Sequence, residues 1–158
     1  MNNSNNGTTG FDVTGWSEST WGMNEDEVLS AFGETAIRPD EPIEFCNPKR
    51  FSTVIIPSID LDNMKFEAHF IFDNIEGLNE VLLKPKEEKP TGYFENLSKL
   101  LRQKYGEQST SDEEGITTRM SWIFPSTIIE LSRHDAEVLD YLLVTVSYEK
   151  TSSVSNYL

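Results

Sequence analysis

Cysteine is almost absent from this sequence. Cys46 stands alone, which excludes an internal disulfide and a cysteine-based zinc site. Basic residues are scarce as well: 13 Lys and Arg face 27 Asp and Glu, a formal charge of −14. Such a surface repels nucleic acid and acidic lipid headgroups and would steer a basic partner, although net charge speaks to association and solubility rather than to fold. No apolar run approaches the length that crosses a bilayer, and Met1 to Gly10 lack the basic and apolar regions of a signal peptide. The chain as written is therefore expected to be soluble and cytoplasmic, or periplasmic if a signal peptide has been removed ahead of it. A glycine-rich phosphate loop, a Gly-x-Ser-x-Gly elbow and paired histidines at metal spacing are missing too. No cofactor and no metal ion are expected.

What the chain has is aromatic content, 11% of 158 residues, enough to argue for a packed core. The strongest local signal is Trp21 to Gly33. Asn24 is an N-cap whose side chain can accept from the Glu27 N–H while the Glu27 carboxylate reaches back, and Met23 with Val28 forms a hydrophobic staple. Glu25, Asp26 and Glu27 suit the positive end of the helix dipole, and Gly33 ends the helix after Phe32. Trp16 and Trp21 bracket its entrance and are expected to seal the core there. Beyond it, Pro39, Pro42 and Pro48 impose a loop, relieved by a short extended piece at Ile43 to Phe45.

Phe51 to Ile56 reads as a strand stopped by Pro57. Lys65 to Phe72 alternates with period two and puts Phe66, Ala68, Phe70 and Phe72 inward, and Leu78 to Lys84 returns across a hairpin at Asp73 to Gly77. After the charged break Pro85 to Pro90, Thr91 caps a second helix with a stripe of Phe94, Leu97, Leu100, Leu101 and Tyr105, ended by Gly106. An acidic loop spans Glu107 to Gly115. Strands then follow at Ile116 to Phe124, with Ile116, Thr118, Met120, Trp122 and Phe124 on one face, at Thr127 to Ser132, and at Leu139 to Tyr148, with Arg133 to Ala136 as a turn. The expected class is α+β: two αβββ units, at about 21–84 and 91–149, with one helix packed on antiparallel sheet per unit. They form a domain spanning 11–150 between polar tails at 1–10 and 151–158.

Catalytic groupings are poor. His69 has Glu67 two residues away on the same strand face and reads as a solvent-facing histidine. Ser132-Arg133-His134-Asp135 is ordinary turn chemistry rather than a triad. Asp60-Leu61-Asp62-Asn63 opens like a calcium loop but has Lys65 and Ile71 where glycine and glutamate are required. Asp112-Glu113-Glu114 reads as a solvated loop.

Gly22-Met23-Asn24-x-x-x-Val28, closed by Gly33, resembles the Gly-Met-Thr-x-x-x-Val pattern of the small lipoprotein of the outer-membrane β-barrel assembly machine. The topology is also similar to the helix-plus-sheet unit found in tandem in β-lactamase inhibitory proteins. The resemblance implies a bacterial protein that binds other proteins through a sheet face or edge, without catalysis. The sequence departs from the lipoprotein pattern in having no lipid-attachment cysteine near its start and Gly33-Glu34-Thr35 in place of Gly-x-Pro.

The function expected from these observations is a noncatalytic protein-binding module, the alternative being a small acidic chaperone-like or structural homodimer. Apolar residues opposite the core faces mark its surface: Tyr141, Leu139, Leu143, Ile71 and Ile123. If the two units instead pack face to face, Tyr141 and Trp122 become core.

Overall fold

The computed structural model describes residues 11–151; the tail expected at 1–10, and all of the one expected at 151–158 except Thr151, lie outside them. Two α-helices, α1 (Glu25–Phe32) and α2 (Tyr93–Tyr105), each precede a run of four strands. The first run is β3 (Ile43–Phe45), β4 (Arg50–Leu61), β5 (Met64–Asp73) and β6 (Gly77–Pro85). The second is β7 (Thr110–Glu114), β8 (Thr117–Ile123), β9 (Thr127–Ala136) and β10 (Tyr141–Lys150). Ahead of α1, β1 (Gly15–Trp16) and β2 (Ser19–Thr20) make a two-stranded ribbon. The two meanders join at β6 and β10 into one antiparallel sheet of eight strands, ordered β3-β4-β5-β6-β10-β9-β8-β7. The class is α+β, as expected, but each helix leads four strands rather than three. The halves meet edge to edge instead of face to face.

The helix α1 forms as its sequence dictates. Asn24 Oδ1 accepts from the Glu27 N–H at 2.8 Å and Glu27 Oε1 accepts from the Asn24 N–H at 2.9 Å, the reciprocal capping box. Val28 is fully buried, and Gly33 closes the helix with φ 61° and its N–H on Leu29 O. The second helix is capped differently from expectation. It starts at Tyr93, and its cap is Gly92 at φ 82°, with no side-chain hydrogen bond from Thr91 or any other residue. Packing compensates: Phe94, Leu97, Leu101 and Tyr105 are buried on one stripe.

Both helices cover the same sheet face. Phe32 packs on Phe70 (5.3 Å between ring centroids), Tyr93 on Phe66 (5.6 Å) and Tyr105 on Tyr148 (6.4 Å). Cross-strand neighbours share a face, so Trp122, Ile129, Tyr148, Val81 and Phe70 form one buried row across the sheet. Trp16 and Trp21 pack against this core, and Trp21 Nε1 donates to Thr127 Oγ1 at 2.7 Å.

Several boundaries differ for identifiable reasons. The strand β4 runs through Pro57, because a register shift between Ile56 and Ile59 leaves the proline outside the ladder and makes its missing N–H harmless. Residues Arg133 to Ala136 continue β9, pairing with Tyr141 to Val144, and the turn falls later, at Glu137 to Asp140, where Asp140 takes φ 53°. The acidic stretch expected as loop supplies β7, every residue of it exposed. Thr151, assigned to the tail, is held by its N–H on Ser126 O and its hydroxyl on Pro125 O. Gly77 is needed where the β5–β6 hairpin meets the α1 entrance, since a Cβ there would lie 2.5 Å from the Gly22 carbonyl oxygen.

Candidate functional site

The face opposite the helices is built from the alternate residues of the same strands, and its two halves are treated differently. On the β3–β6 side it is closed. His69 is 2% exposed, with the Phe45 ring edge-on at 5.0 Å and Glu67 Oε1 3.0 Å from Nε2. Burial lowers the pKa of His69, and Lys84 adds to that; the Glu67 carboxylate pulls the other way and does not win. The imidazole is thus neutral and buried, not solvent-facing as its charged sequence neighbours suggest. Its Nδ1 has no hydrogen-bond partner among the described residues. Arg50 clasps the largely buried Glu80 with both forks, Nε to Oε1 at 2.7 Å and Nη2 to Oε2 at 3.0 Å. Ile71 sits in the same covered region at 4% exposure. In this structure it therefore presents almost no surface to a partner.

On the β7–β10 side the face is open. A cavity of about 710 Å³ lies over it, reaching from Ile116, Arg119 and His134 past Tyr141 to Glu130 and Glu149, and lined also by Cys46 to Pro48, Arg50 and Glu80 of the closed half. The registers explain the grouping: Arg119 lies opposite Ser132, and Ser132 opposite Thr145; Glu130 lies opposite Ser147, and His134 opposite both Thr117 and Leu143. His134 Nδ1 is 2.8 Å from Thr117 Oγ1, and the Ser132 and Thr145 hydroxyls are 3.0 Å apart. Among the described residues no carboxylate hydrogen-bonds His134, so the Ser-Arg-His-Asp run is strand surface. Likewise no cluster of metal-ligating side chains forms among them.

Of the residues expected to contact a partner, Tyr141 is 50% exposed and lines the cavity together with half-buried Leu143. Leu139 is 77% exposed but lies in the 3-10 turn before β10, not on that strand, so it projects from the hairpin tip beside Val138. Ile123, 53% exposed, is at the far end of β8 opposite Ile128, apart from Tyr141. Period-two alternation places Ile116 on the core face; at the β7–β8 turn it is exposed instead and joins Tyr141 at the cavity. Trp122 is core, and its Nε1 donates to Gly106 O at 2.8 Å. Arg119, Glu130 and Glu149 were not singled out from sequence, although the alternation that buries Met120 and Trp122 puts Arg119 on the other face.

No helix among the described residues is long and apolar enough to cross a membrane. Comparison of the chain with protein-family models, with curated proteins and with solved structures gives no match.

Proposed function

We propose that this protein is a noncatalytic binding module that docks a segment of a partner protein on the open half of its sheet face, centred on Tyr141 and Leu143. One observation carries the reading. Helices cover a single face of an eight-stranded sheet, and on the other a cavity of about 710 Å³, bordered by Cys46 to Pro48 and Arg50, opens over the β7–β10 half beside exposed Tyr141 and Ile116. An aromatic residue flanked by aliphatic ones, above a floor of hydroxyls and charges, is the composition of a recognition surface.

Binding to the face fits better than strand addition to an edge. One edge strand, β3, is only three residues long, and the other, β7, carries Asp112, Glu113 and Glu114, all exposed. Both are devices that discourage edge pairing. The resemblance at Gly22 to Gly33 supports the same class of function. The homodimer reading draws on the exposed pair Ile123 and Ile128, which a second copy would cover.

The test is capture of partners from source-cell extract on the wild-type protein and on Tyr141→Ala, with the mass of the free protein measured by light scattering. A partner held by wild type, lost from Tyr141→Ala, and unaccompanied by any change in unfolding midpoint is the expected result. Retention indifferent to Tyr141→Ala overturns the assignment, and a dimeric mass that Ile123→Lys abolishes favours the homodimer.

A further inference from the structure

The open face carries an electrostatic imbalance at the end of β10 remote from Tyr141. Glu149 lies directly opposite Glu80, and Glu130 is its diagonal neighbour on β9. Facing carboxylates repel. Arg50 is committed to Glu80 through both forks. Arg119 stands 3.7 Å from Glu130 and 3.7 Å from Asp112, a loose and shared contact. Glu149 receives only the Ser147 hydroxyl, at 3.3 Å, and forms no ion pair with a described residue. Burial raises its pKa, and Glu80 and then Glu130 raise it further, with the Ser147 hydroxyl and Arg50 opposing them. Exposed Ile128 is its cross-strand neighbour and Ile123 the next residue along that row.

This deepens the docking reading above and rests on it. We propose that the docked segment is extended and carries a lysine or arginine that seats against Glu149 and Glu130, with its aliphatic stem along Ile128. An apolar side chain of the same segment occupies the Tyr141 and Ile116 end. The spacing follows from β10. Eight steps separate Tyr141 from Glu149, which at about 3.3 Å per residue is roughly 26 Å, so an extended segment needs about eight residues between its apolar and basic anchors. Charge complementarity selects the occupant. A chain of net charge −14 attracts a basic segment, and an incoming cation would relieve the part of the Glu149–Glu80 repulsion that Arg50, bound to Glu80, leaves uncompensated.

A random library of peptides about twelve residues long, displayed on phage and selected on the immobilised full chain, tests this without knowledge of the natural partner. Selected peptides should carry Lys or Arg about seven to nine positions from a large apolar residue. Their affinity should drop about tenfold on Glu149→Gln, vanish on Glu149→Lys, and weaken with added salt. Peptides that need Tyr141 but bind Glu149→Lys as well as wild type sink the basic anchor and leave the docking face standing. Peptides indifferent to Tyr141→Ala, or no selected peptides at all, sink the face and the anchor together.

Discussion

The two halves of the sheet have similar core faces and opposite outer faces. On the core side both halves present large apolar side chains to the helix layer, Phe70 against Phe32 of α1 and Phe66 against Tyr93 of α2 in one, Trp122, Ile129 and Leu131 in the other. On the outer side the first half is folded shut: Phe45 on β3 covers His69, Arg50 clasps Glu80, and Ile71 is buried. The second half has β7 in the place of β3. Its residues, Thr-Ser-Asp-Glu-Glu, contain nothing apolar to fold over the sheet, so Arg119, Glu130, His134 and Tyr141 stay accessible. The difference teaches where polar residues are structural and where they are available: a buried charge must be paired to be tolerated, whereas an accessible one can await a partner.

The two faces of β8 should differ most in what they contribute to stability. Trp122→Ala should cost about 3–5 kcal/mol, because it empties a fully buried site and orphans the Gly106 carbonyl that its Nε1 satisfies. Ile123→Ala, one residue on, should cost under about 0.5 kcal/mol as an exposed substitution. Denaturant titration of both reads this directly; similar costs would mean that the outer face of β8 is also core.

The next largest effect sharpens the contrast between glutamates. Glu80→Ala should cost about 2 kcal/mol by leaving Arg50 without its carboxylate. That is less than the ~3–5 of a fully buried pair, because the guanidinium reaches solvent. Replacing both partners with leucine should recover most of the loss. A full loss in the double variant would show that the pair holds the closed half by more than its own charges.

Much of this architecture was legible in the sequence, and the parts that were not share a cause. Period-two alternation located β5, β8 and β10, and the Asn24–Glu27 spacing gave the cap of α1 to the residue. Pattern reading failed where tertiary pairing overrides local preference. Polar Thr110 to Glu114 pairs because β8 offers it an open edge, and Arg133 to Ala136 stays in β9 because both neighbouring strands extend alongside. His69 appeared exposed because its sequence neighbours are charged; the residue that buries it, Phe45, is far away in the chain. Tyr141 and Leu143 were legible as part of the open face from alternation alone. Glu130 and Glu149 were not, since nothing local says that β6 and β10 would set Glu80 and Glu149 opposite each other.

The helices extend the comparison at a smaller scale. Eight-residue α1 depends on a side-chain cap, whereas thirteen-residue α2 has none and relies on its buried stripe. Asn24→Ala should cost about 1 kcal/mol and Asn24→Asp much less. Thr91→Ala should be nearly neutral, because Thr91 makes no capping hydrogen bond to α2. Equal losses at Asn24 and Thr91, measured by thermal or denaturant unfolding, would contradict the two capping modes.

The smallest expected effect is the most informative about the open half. Glu149 faces Glu80 and is partly desolvated, so its folded-state pKa lies above the ordinary 4.5. Through the window between 4.5 and the raised value the folded protein binds more protons at this site than the unfolded chain, so stability falls as pH rises across it. Above that window wild type carries the full cost of the charge; below 4.5 both states hold the proton and the cost disappears. Glu149→Gln should therefore match wild type or exceed it slightly, by under about 0.5 kcal/mol, at neutral pH, with the difference shrinking on acidification. Glu80→Ala, by contrast, is destabilising at neutral pH. If Glu149→Gln instead costs as much as Glu80→Ala, Glu149 is a structural residue like those of the closed half, and its charge is not held in reserve for a partner.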